Sequence, residues 1–115
     1  MVTIYHNPRC SKSRQTLALI EENGHKPQVI EYLKTPPAEN TLQELIASLG
    51  FQSARELMRT KEEIYKELNL SDESLQEADL VKSMAEHPKL IERPIVITDK
   101  GSCLGRPPEN VLAIL

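Results

Sequence analysis

Apolar residues recur with two different periods along this chain, and the change of period divides it into three stretches. Val2, Ile4 and Tyr5 form a short β-branched and aromatic run that predicts a first strand. The polar loop His6-Asn7-Pro8-Arg9 follows it. Leu17, Ala18, Leu19 and Ile20 then sit among good helix formers from Ser11 to Glu22, which predicts a helix. Asn23-Gly24 supplies the stop, because glycine takes the left-handed conformation after a helix without steric cost. Val29, Ile30, Tyr32 and Leu33 predict a second strand. A strand, a helix and a strand in so short a span predict a parallel pair joined by a helical crossover.

Thr35-Pro36-Pro37 breaks that pattern and opens a stretch without strand character. Thr41-Leu42-Gln43-Glu44 matches a capping box, in which a hydroxyl and a carboxylate satisfy the free amides of a helix start. Leu42, Leu45, Ile46 and Leu49 share one face of that helix, and Gly50 ends it. Residues 53–70 predict one or two short helices. Leu75, Leu80, Val81 and Met84 mark another, which stops before Pro88. Strand character returns at Pro94-Ile95-Val96-Ile97-Thr98. A turn at Asp99-Lys100-Gly101-Ser102 leads to a short partner strand, Cys103-Leu104. Pro107-Pro108-Glu109-Asn110 predicts a last helix start, with Val111, Leu112, Ile114 and Leu115 as its apolar face. The expected architecture is a single α/β domain, residues 1–115, of thioredoxin-like type. Residues 1–35 and 88–115 form its core, and 36–87 are a helical insertion between the N-terminal βαβ unit and the C-terminal ββα unit.

Composition narrows the functions. The chain has 115 residues, 39% hydrophobic and 27% charged, a mix typical of one globular domain. A net charge of −3 argues against a broad nucleic-acid footprint. No apolar run approaches the ~20 residues a membrane helix needs, and the first residues lack a signal-peptide pattern. Two cysteines are too few for a disulfide scaffold, so a reducing, cytoplasmic location is expected. With two separated cysteines and scattered histidines there is no zinc-site spacing, and no metal is expected.

The chemistry concentrates in His6-Asn7-Pro8-Arg9-Cys10-Ser11-Lys12-Ser13-Arg14. Cys10 falls at the start of the first helix, where free amides and the helix dipole stabilise a thiolate and form a cradle for an oxyanion. Arg9, Lys12 and Arg14 add positive charge. A lone cysteine is usually a buried packing residue, and that reading fits Cys103, in a predicted strand, better than Cys10. Ser13 stands where a dithiol oxidoreductase carries its second thiol, so a self-contained dithiol cycle is excluded and electrons must come from Cys103 or an external thiol. The Ser13 hydroxyl either donates to the thiolate or serves the helix start. His6 lies close enough in sequence to pair with Cys10, although an ordinary loop histidine satisfied by its neighbours fits the short loop better.

Four separated motifs give the chain a resemblance to the ArsC family of glutaredoxin-coupled arsenate reductases. His6-Asn7-Pro8-Arg9-Cys10-Ser11-Lys12-Ser13-Arg14-Gln15-Thr16-Leu17 is similar to the family's H-N-P-x-C-x-x-S-R-x-T-L loop. Glu56-Leu57-Met58-Arg59, His87 to Val96 with Arg93, and Leu104-Gly105-Arg106-Pro107-Pro108-Glu109 are similar to the segments that carry its three oxyanion-binding arginines. The resemblance implies Cys10 as the catalytic nucleophile and Arg59, Arg93 and Arg106 as the oxyanion-binding residues. It implies supporting roles for His6, Ser13, Arg14 and for Pro94, which is similar to the cis-proline facing the cysteine in thioredoxin-like folds. It further implies arsenate as substrate, glutathione as co-substrate with no bound cofactor, glutaredoxin as partner, and a monomer that engages neither nucleic acid nor membrane. Ser11-Lys12 replaces the Gly-Thr of the best-known resistance enzymes, and Gln15 replaces an Asn. The length resembles the compact chromosomal branch, without the C-terminal extension of plasmid-encoded members. Two other functions compete: an Spx-like regulator that binds RNA polymerase, and a glutathione-linked oxidoreductase with another substrate. Spx-like proteins often carry C-x-x-C, which Ser13 argues against here.

Overall fold

A computed structural model describes residues 1–115. The chain divides into two compact units, 1–35 with 93–115 and 36–92. The first unit is built on a four-stranded sheet in the order β2-β1-β3-β4, formed by β1 (Thr3–His6), β2 (Gln28–Glu31), β3 (Ile95–Thr98) and β4 (Gly101–Leu104). The first two strands are parallel and are joined through α1 (Ser11–Glu22), as the periodicity predicted. β3 runs antiparallel to both β1 and β4.

Strand alternation explains the core of this unit. Ile4 pairs with Val96, and Val96 with Cys103, so the three lie in a row on one face. Ile4 and Val96 pack there with Val2, with Ile20 of α1 and with Val111. Each fully buried aliphatic side chain contributes about 1.5–3 kcal/mol. Tyr5 and Ile95 are buried on the opposite face. The outer strand β2 is largely exposed, as its Val29 shows.

The second unit is helical. It contains α2 (Glu39–Ser48), a 3-10 turn at Ala54–Leu57, α3 (Glu63–Glu67), α4 (Glu77–Glu86) and a 3-10 turn at Pro88–Leu90. Leu42, Leu45, Leu57, Leu80, Val81, Met84 and Leu90 are buried. The unit runs past residue 87, because Ile91 bridges Met58 and the flanking amides of Arg59 and Glu92 bond to Leu90 and Leu57 carbonyls. No helix of the chain is long and apolar enough to cross a membrane.

Several local expectations differ from the structure. α2 starts at Glu39 behind Ala38, so Thr41 and Glu44 lie inside the helix and form no capping box. The capping boxes that form are Ser53 with Glu56 and Gln76 with Asp79. β4 begins at Gly101, whose φ of 137° suits only glycine, and this tightens the hairpin to a turn at Asp99-Lys100. The last helix is a 3-10 segment, Pro108–Ala113, rather than an α-helix. It still buries Val111 against the sheet unit's core.

Candidate active site

β1 ends at His6, and the chain reaches α1 through a tight loop. The Cys10 amide donates to the Asn7 carbonyl at 3.0 Å, and the Arg9 amide donates to Asn7 Oδ1 at 3.0 Å. Arg14, one turn into the helix, sends Nη1 back to the Pro8 carbonyl at 2.9 Å. Arg14 therefore braces the loop that presents the cysteine.

Cys10 is the N-cap of α1, in extended conformation, and the first turn contains no acidic residue. Its sulfur stands in the place of a capping oxygen without closing a cap hydrogen bond. Partial burial works to raise its pKa, but the Ser13 amide, the charge of Arg93, the Lys12 amide and a hydrogen bond from the Arg93 side chain outweigh it. The net direction is below the ordinary thiol value, which favours the nucleophilic thiolate. Among the basic residues read from the loop, Arg9, Lys12 and Arg14 are exposed, and the charge that acts on the sulfur is that of Arg93.

Ser13 is fully buried, and its hydroxyl is committed within the loop. It accepts from the Asn7 amide at 3.0 Å and lies 2.6 Å from His6 Nδ1. Burial lowers the His6 pKa, with Glu31 opposing and Arg14 reinforcing the shift. A neutral imidazole accepting the serine proton at Nδ1 satisfies both groups. The Ser13 hydroxyl thus takes neither expected role: it ties the loop to the end of β1 through Asn7 and His6, and the group that acts on Cys10 is the Ser13 backbone amide. His6 is the last residue of β1, paired in register with Glu31, rather than a loop residue.

Arg93 precedes β3 and Arg106 follows β4, at the end of the sheet where Tyr5 pairs with Ile95 and β1 runs into the cysteine loop. The Arg93–Pro94 bond is cis, as the resemblance implied, and so is Arg106–Pro107, which no sequence signal singled out. Arg106 is exposed, and its Nη1 reaches the Arg93 carbonyl at 3.4 Å, a long contact. Cys10, Ser13, Arg93, Arg106 and Pro94 all belong to the first unit. Arg59 belongs to the helical unit, where its Nη1 pairs with Glu62 at 2.6 Å and both side chains are partly exposed. Cys103 is a free thiol on the apolar core, and burial raises its pKa. Its expected packing role fits that position.

A nucleophilic sulfur on a helix N-terminus with a guanidinium beside it is suited to attack on a tetrahedral oxyanion. The model of the ArsC family matches residues 5–114. The chain belongs to the ArsC family. It is 58% identical over 114 residues to the uncharacterized protein YfgD of Escherichia coli K12, covering 99% of this chain and 96% of that protein. An arsenate reductase of Haemophilus influenzae is 52% identical, with coverages of 99% and 98%. The solved structure of an arsenate reductase from Vibrio cholerae superposes with a TM-score of 0.97 at 58% identity, over 99% of this chain and 97% of that one. These ArsC relatives share the thioredoxin-like α/β fold, and the motifs quoted above run through the matched region.

Proposed function

We propose that the protein is an arsenate reductase in which Cys10 is the nucleophile and glutathione with glutaredoxin supplies the electrons. The observation that carries this reading is the pairing of Cys10, on an amide-rich helix start, with the guanidinium of Arg93. The names of the relatives support the substrate. Arsenate is a tetrahedral anion that must sit beside an anionic sulfur, so the site has to offset two negative charges. Guanidinium forks suit that task better than the point charge of lysine. Arg93 and Arg106, with Arg59 by the family motif, take the role of oxyanion ligands.

In the proposed reaction the Cys10 thiolate attacks arsenic(V) and an arsenate oxygen leaves as water, giving a Cys10–S–As(V) adduct. A glutathione thiol then adds to arsenic with loss of a second water. The glutaredoxin thiolate attacks the glutathione sulfur, the S–As bond breaks towards arsenic, and the pair of electrons reduces As(V) to As(III). The glutaredoxin–glutathione disulfide carries the oxidation away, and water releases arsenite and frees Cys10. Ser13 in place of a second thiol supports this dependence on outside thiols. The amides at α1 and the arginines stabilise the negative charge that builds on the oxyanion.

Arsenite release from arsenate, glutathione and glutaredoxin tests the proposal. Wild-type protein is expected to turn over and Cys10→Ser is not. Full activity in Cys10→Ser, or activity independent of glutathione, overturns it.

A further inference from the structure

Thr16 lies one turn beyond the cysteine loop, is fully buried, and touches neither the sulfur nor the arginines through any contact described above. Its Oγ1 is 2.8 Å from the Lys12 carbonyl and 3.3 Å from the Gly105 carbonyl. The Lys12 carbonyl and the Ser13 amide are the two ends of one peptide group. Ser13 is the third residue of α1 behind the Cys10 N-cap, the position whose amide faces the cap side chain, and the Lys12 end receives the Thr16 hydroxyl. A donor on the carbonyl of a peptide polarises the N–H at its other end and fixes its plane.

The other side of Thr16 meets Gly105. A Cβ placed on Gly105 would lie 2.5 Å from Thr16 Oγ1, 2.8 Å from Thr16 Cγ2 and 2.9 Å from Pro94 Cγ. Only a residue without a side chain fits between α1 and Pro94. The Gly105 amide also donates to the Pro94 carbonyl at 2.9 Å. Gly105 is followed by Arg106, and Pro94 is preceded by Arg93, so the same close contact seats both arginine-bearing segments against α1.

We propose that Thr16 is a positioning residue for the Cys10 nucleophile: its hydroxyl holds the Lys12–Ser13 peptide with the amide turned to the sulfur, and its body sets the approach of the Gly105 segment. This rests on the reading of Cys10 as nucleophile, yet the test below needs no substrate. Thr16→Val keeps the shape of the side chain and removes the hydroxyl. The Lys12 carbonyl keeps its backbone bond within the helix.

The experiment is the pH dependence of iodoacetamide alkylation at Cys10, followed by peptide mass spectrometry, in wild type, Thr16→Val and Thr16→Ser. Thr16→Val is expected to move the Cys10 titration upward and slow alkylation at neutral pH by roughly two- to fivefold, with Thr16→Ser close to wild type. An unmoved titration in Thr16→Val overturns the proposal. An equal shift in Thr16→Ser overturns it too, since the lost methyl and not the hydroxyl would then be responsible. If Thr16→Val does not fold, Thr16→Ala is smaller in every dimension and gives the same comparison with Thr16→Ser. Gly105→Ala is expected to shift the titration in the same direction by pushing Arg93 away from the sulfur. A failed reductase assay together with the expected titrations would reject the substrate and leave the positioning role standing.

Discussion

The helix starts of the two units solve the same electrostatic problem in opposite ways. In the helical unit every α-helix carries an acid in its first turn: Glu39 in α2, Glu63 in α3, Glu77 and Asp79 in α4. Glu77 also takes the Ala54 amide at 2.6 Å, while Ser53 and Glu56 close a capping box on the 3-10 turn. Those carboxylates consume the positive end of each helix for stability. α1 has no acid in its first turn and a cysteine at its cap. Its amides are left to a group that is neutral as a thiol and charged as a thiolate. A start that is poorly capped for stability is thereby suited to chemistry, which is the trade expected at a functional site.

The largest expected effect comes from removing the group that α1 serves. Cys10→Ser is predicted to lower arsenate turnover by at least about 10³-fold, measured as arsenite release, because a hydroxyl at the same place is not ionised near neutral pH. Arg93→Ala comes next. Losing one preorganised contact to a developing anion is predicted to cost about 10²–10³ in kcat/KM, and Arg93→Lys should recover little of it because the planar fork is lost. The same variant should move the Cys10 titration upward, since the Arg93 charge lowers it.

Ser11→Asp probes the comparison itself by giving α1 the acidic first turn of the other helices. It is predicted to stabilise the helix by about 0.3–1 kcal/mol in thermal unfolding while raising the Cys10 pKa and weakening anion protection. A gain in stability with no change at the sulfur would break the contrast between the units. Ser53→Ala is the reciprocal change. It removes a cap in the helical unit and should cost about 1 kcal/mol of stability with unchanged turnover. The smallest effect is expected from Cys103→Ala, a stability change within about 1 kcal/mol and full activity, since that side chain packs against the core and the proposed electrons come from outside thiols.

Features set by local pattern were legible in the sequence. The parallel β1–β2 pair, α1 with its stop at Asn23-Gly24, the β3–β4 hairpin and the placement of Cys10 at a helix start all follow from period and punctuation within a few residues. Thr41-x-x-Glu44 has the letters of a capping box one turn too late, whereas Ser53-x-x-Glu56 carries the same signature in a segment with weak periodicity. The apolar spacing of the terminal segment suits a 3-10 helix as well as an α-helix, so the pattern alone does not tell them apart. One partner of the Ser13 hydroxyl, His6, is seven positions away, and the Gly105 that crowds Thr16 is 89 away. Such contacts depend on how the sheet folds back on α1, and no local pattern encodes them. Within the site, the residue types were therefore readable, and their division of labour was not.

Titration of the two thiols tests the central claim most directly. Alkylation rates of Cys10 and Cys103 are followed against pH in the same sample, with and without arsenate. The Cys10 midpoint is predicted below the ordinary value near 8.5 and the Cys103 midpoint above it, with arsenate protecting only Cys10. Because the folded protein then releases the Cys10 proton at lower pH than the unfolded chain, this group's stabilisation is complete above about 8.5 and is lost as pH falls through the folded value. A Cys10 midpoint at or above that of Cys103 would contradict the claim that the start of α1 is kept open for a thiolate.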